Sequence, residues 1–159
     1  MRTFFTALAL VAALVVQSGL SRVWPGGVRY FDPFLVVLVY CALVGGATRG
    51  MLAGAAAGWI QDVHFGGRVL GLSGLTKVLV GYVVGVSSTR FHLGEPTSRA
   101  LVLFLATIAD ALVLRGLASL FEVEAYGLSP LGLLVRGGAT ALLGVVLYEA
   151  VERRGGKAS

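Results

Sequence analysis

Asp62, Lys77, Asp110, Arg115 and Arg136 are ionisable residues that interrupt or terminate long apolar stretches of this chain. A charge inside hydrocarbon is costly, so such residues face a protein interior, one another or water. At ~1.5 Å of helix per residue, Lys77, Arg115 and Arg136 lie roughly two turns below one end of their segments. Asp110 lies deeper, near mid-membrane. Three cations at similar depth, with one or two carboxylates, predict a shared polar cluster in preference to three separate snorkelling side chains. Asp110 is expected to face the interior. Asp62, at the end of its helix, either caps a turn or reaches Lys77 on the next segment.

The same residue types do not assemble a catalyst. Asp62 and Asp110 share no local pattern that marks a pair of intramembrane aspartyl hydrolase carboxylates. A serine–histidine arrangement would have to use His64 or His92, which fall in connections at opposite faces. His, Cys and carboxylates do not cluster at metal-ligand spacing, and no glycine-rich phosphate loop stands between a strand and a helix. Neither enzymatic activity nor a cofactor is expected.

The stretch "RGMLAGAAAGWIQDVHFGGRVLG" carries Gly50, Gly54 and Gly58 at every fourth position, with Gly46 before them and Asp62 in the next place. Helices in lipid gain little from hydrophobicity when they associate; they gain from the close packing that small residues permit. An i, i+4 row forms a slanting ridge, so these glycines trace a groove. The segment containing Gly81 and Gly85 offers a counterpart. Such grooves hold helices together within the bundle or receive another protein.

Composition sets the frame for these residues. The chain is 57% hydrophobic and 13% charged, where a soluble domain carries roughly a quarter charged residues. It reads as a single all-α transmembrane domain over 1–159 with six helices, at about 4–20, 32–47, 50–64, 70–88, 98–121 and 129–151. The second and third are short for a bilayer core of ~30 Å. Asp32-Pro33 and Ser129-Pro130 are cap-then-proline starts. The first segment reads as an uncleaved anchor.

The net charge of +5 comes from cations scattered between apolar segments, with no basic stripe for nucleic acid. Across six crossings, Arg2, Arg49, Arg90, Arg99, Arg153, Arg154 and Lys157 share one side, and Arg22, Arg29 and Arg68 the other. That asymmetry puts both termini in the cytoplasm. Cys41 is the single cysteine, so no intrachain disulfide forms.

The run from Tyr30 to Val86, "YFDPFLVVLVYCALVGGATRGMLAGAAAGWIQDVHFGGRVLGLSGLTKVLVGYVVGV", resembles the MreD family of bacterial rod-shape-determining proteins. Pro33 and Tyr40 match an aromatic-x-Pro entry into a tyrosine-bearing helix. Gly54, Gly58 and Asp62 match a small-residue helix ending in aspartate. Gly66, Leu70, Gly71 and Tyr82 match the turn and the helix that follow. The resemblance implies a non-enzymatic scaffold of the cell-elongation machinery in the bacterial cytoplasmic (inner) membrane, with MreC as main partner. It implies indirect links to MreB, a RodA-type glycosyltransferase and a class B penicillin-binding transpeptidase. It leaves room for a homodimer. Carried over residue by residue, it places partner contact at Gly54, Gly58, Asp62, Gly66 and Gly71. It also implies a bundle like the substrate-binding subunits of energy-coupling-factor vitamin transporters. The rival reading follows from that likeness: a solute-binding subunit whose Lys77, Arg115 and Arg136 line an outward cavity for an anionic ligand.

Overall fold

The structure, a computed structural model, describes residues 2–24, 26, 30–64, 70–90, 96–122 and 129–155. Five helices run through them: α1 (Arg2–Val23), α2 (Pro33–His64), α3 (Leu72–Arg90), α4 (Pro96–Leu120) and α5 (Pro130–Gly155). The described residues contain no strand. Stretches in α1, α2, α4 and α5 are long and apolar enough to cross a membrane, whereas the apolar part of α3, Leu72–Ser88, is shorter. Six separate helices were expected, and five are found. The second and third expected segments form the one run α2.

That run is not straight. Gly46 has φ 74° and ψ −170°, a backbone conformation essentially restricted to glycine. Residues mirrored about it meet: a Cβ on Gly50 would lie 2.8 Å from that of Ala42, and one on Gly54 would lie 2.9 Å from Leu38 Cδ1. A straight helix would hold Leu38 and Gly54 ~24 Å apart. The chain therefore doubles back at Gly46 into two arms, 33–45 and 47–64. The first arm is only ~20 Å long, short of the ~30 Å hydrocarbon core.

The second arm of α2 lies antiparallel to α3 at backbone contact. A methyl at Gly50, Gly54 or Gly58 would collide with the main chain of Gly81, Lys77 or Gly74, and one at Gly85 with Ala47. The glycine row thus serves packing inside the chain, which supplies the van der Waals contact that lipid-embedded helices need. Gly54 and Gly58, which the resemblance placed at a partner surface, are buried against α3.

The helix starts rest on local chemistry. Asp32 Oδ1 accepts the Leu35 N–H at 3.2 Å and Ser129 Oγ accepts that of Gly132 at 3.2 Å. Each satisfies an N–H that the first turn leaves unpaired, and each precedes a proline whose missing N–H costs nothing there. Leu35, Leu38 and Val39 of α2 build the main core with Val84 of α3, Leu103 of α4 and Ala141 of α5. Leu10 and Ala13 attach α1 to the other side of the α2 hairpin, against Phe34 and Ala57. Away from Asp32, the Tyr148 ring sits between Arg99, 3.8 Å from its centroid, and an edge-on Tyr40 at 5.0 Å.

Candidate functional site: a buried tetrad of charges

Asp32, Lys77, Asp110 and Arg136 come from four different helices or their caps and converge in the interior. Lys77 Nζ donates to Asp32 Oδ2 at 2.9 Å. It also stands 3.5 Å from Asp110 Oδ1. Arg136 Nη2 lies 3.4 Å from Asp32 Oδ2 and 3.8 Å from Asp110 Oδ2. Three of the four are almost fully covered, with Lys77 and Asp110 each 2% exposed and Asp32 1%.

The fold explains why these four meet. Asp32 caps the first arm of α2 and is itself only 1% exposed, so its carboxylate lies inside the bundle. One carboxylate oxygen caps that arm, which frees the other to pair with both cations. Lys77 lies about one and a half turns into α3, Arg136 about two turns into α5, and Asp110 roughly three turns before the end of α4. Two carboxylates and two cations balance, so the cluster carries no net formal charge. In a low-dielectric interior, that balance decides whether burial is tolerable, because an unpaired charge there is far costlier than a pair.

Beside the tetrad is a cavity of ≈ 30 Å³ lined also by Gln61, Ser73 and Leu114. Among the described residues, no three His, Cys, Asp or Glu side chains are placed to hold a metal ion.

The residues singled out in the sequence fall into separate groups. Lys77, Asp110 and Arg136 come together, with Asp110 turned inward. Arg115 does not join them; it is exposed on α4. Asp62 does not pair with Lys77 either. Its Oδ2 accepts the backbone N–H groups of Gly71 at 2.8 Å and Gly74 at 3.4 Å, so it braces the start of α3. The antiparallel register accounts for this. Gly58 faces Gly74 and Gly54 faces Lys77, which leaves Asp62 opposite the turn and about two turns from the lysine. Gly71, at φ 94°, is exposed beside that carboxylate. Gly66 lies outside the described residues.

Two members escaped the sequence reading. Asp32 was legible as a helix cap only. Its second role depends on tertiary packing, which buries the cap beside Lys77 and Arg136. Gln61 gave no signal, because its place beside the cavity depends on the reversal at Gly46.

A family model, described as rod shape-determining protein MreD, matches residues 1–132. The chain belongs to the MreD family. The match includes Asp32, Lys77 and Asp110 and ends before Arg136. This MreD-family chain is accordingly an integral membrane protein of the rod-shape system. No curated protein and no solved structure matches the chain.

Proposed function

We propose that this MreD-family protein is a non-enzymatic scaffold that binds MreC in the bacterial inner membrane, with both termini in the cytoplasm. Through MreC it helps couple MreB to the RodA-type glycosyltransferase and the class B transpeptidase. The observation that carries the proposal is the self-neutralised tetrad at the centre of a chain that matches the MreD model. Its charges are consumed in holding α2, α3, α4 and α5 together, which suits a rigid platform for other membrane proteins.

The rival, a solute-binding subunit, needs uncompensated cations facing a roomy cavity. Lys77 and Arg136 already have carboxylate partners, Arg115 is remote, and the space beside the tetrad is ≈ 30 Å³. Ligand pockets run to roughly 300–1,000 Å³. These features favour the scaffold.

With the glycine row taken up by α3, partner contact falls on the outward side of the α2–α3 hairpin and its turn. Leu52, Trp59 and Val63 are exposed there, with Gly71 beside the turn that Asp62 braces. The test is a crosslinking scan with single cysteines at Leu52, Trp59, Val63 and Gly71 in a Cys41→Ala background with MreC coexpressed. Crosslinks to MreC at some of these positions are the expected result. Copurified MreC without any crosslink would move the interface elsewhere, and failure of MreC to copurify would overturn the scaffold reading.

A further inference from the structure

Three side-chain atoms around the tetrad are buried without a hydrogen-bond partner among the described residues: Gln61 Oε1, Asp110 Oδ1 and Arg136 Nε. Two are acceptors and one is a donor. Asp110 Oδ1 is near enough to Lys77 Nζ, at 3.5 Å, for electrostatic attraction, but the contact lacks hydrogen-bond geometry. All three residues line the same cavity of ≈ 30 Å³. Buried polar atoms are nearly always satisfied, by protein or by ordered water.

We propose that this cavity is a binding site for an ordered water molecule that completes the charge tetrad. A water needs roughly 10–15 Å³ of such space and two to four polar partners. The site offers both. The water donates one hydrogen to Gln61 Oε1 and the other to Asp110 Oδ1, and it accepts from Arg136 Nε. That pattern uses each orphaned atom once. It also selects the ligand class. A metal cation would meet the Lys77 ammonium and the Arg136 guanidinium, and an anion would meet two carboxylates.

The water corrects an imbalance within the tetrad. Asp32 takes the short contacts, 2.9 Å to Lys77 and 3.4 Å to Arg136, and a backbone N–H besides. Asp110 has only the long ones, at 3.5 and 3.8 Å. A water on its cavity side gives this carboxylate a hydrogen bond of ordinary length. It also links the second arm of α2, through Gln61, to α4 and α5.

The direct test is an experimental structure of the full-length protein in lipid, at a resolution that shows ordered water. A peak within ~2.6–3.2 Å of Gln61 Oε1, Asp110 Oδ1 and Arg136 Nε is expected. An empty cavity, or side chains repacked so that the three atoms satisfy one another, overturns the proposal. The second measurement is the melting temperature of Gln61→Met, which keeps length and removes the acceptor. With water bound, the variant melts lower, by ~2–4 °C, the shift expected for losing one net hydrogen bond in a chain of this length. In a dry cavity, removing an orphaned acceptor is neutral or stabilising, so a melting temperature unchanged or raised also overturns it. Should Gln61→Met fail to fold, the wild-type structure still decides.

Discussion

Replacing Asp32 by asparagine separates the two roles of one carboxylate. Asparagine is as good an N-cap as aspartate, so the hydrogen bond from Leu35 N–H survives. What disappears is the negative charge that stands 2.9 Å from Lys77 Nζ and 3.4 Å from Arg136 Nη2. Lys77 and Arg136 are then left with Asp110 alone, at 3.5 and 3.8 Å, and the buried cluster gains a net positive charge. Breaking a buried pair by removing one partner costs about 3–5 kcal/mol. Because Asp110 still faces both cations, the lower end applies, about 3 kcal/mol. At ~2–4 °C per kcal/mol for a chain of this length, the melting temperature falls by roughly 6–12 °C. The assay is thermal unfolding of purified full-length protein in detergent, followed by the loss of the monodisperse peak. The double variant Asp32→Asn/Arg136→Gln restores charge balance and should recover part of the loss, so that the two single effects do not add. A fall below ~2 °C for Asp32→Asn, or strict additivity in the double variant, would refute the tetrad as the electrostatic centre of the bundle.

Gly46→Ala forces a side chain into a backbone region that only glycine occupies readily, which costs about 1–3 kcal/mol; a melting temperature unchanged from wild type would mean that the reversal is not made there. Gly58→Val drives a branched side chain into the backbone of α3, and the expected result is loss of the folded, monodisperse species, whereas the same change at exposed Gly138, which meets nothing within 4 Å, is tolerated. Asp62→Ala removes the carboxylate that braces Gly71 and Gly74 and should cost about 1 kcal/mol, as loss of an N-terminal cap does, while Asp62→Asn retains most of that stability. Arg115→Gln is expected to leave the melting temperature within ~1–2 °C of wild type, because an exposed side chain away from packing features contributes within about 0.5 kcal/mol.

Much of this arrangement follows from local chemistry. Asp32-Pro33 and Ser129-Pro130 start helices wherever they fall, because capping and a fixed proline φ act over one turn. The inward turn of Asp110 follows from the cost of a carboxylate in lipid, and the small-residue row had to lie at some close contact. Residue spacing alone could not distinguish an intrachain contact from a partner for Gly54 and Gly58, since both reward the same glycines. Nor could it distinguish Arg115 from Lys77 and Arg136. All three lie at similar depth, and only the rotation of each helix about its axis decides which points inward.

From its sequence alone this protein is a helical membrane domain with capped helices, buried charges that must find partners, and a resemblance to MreD that the family match established. The tertiary structure decided which charges meet. A single glycine conformation at residue 46 folds α2 back on itself, and antiparallel packing of the second arm sets the glycine row against α3. Pairing depends on that three-dimensional register. Asp32 and Arg136 are 104 positions apart, and no local periodicity spans that distance.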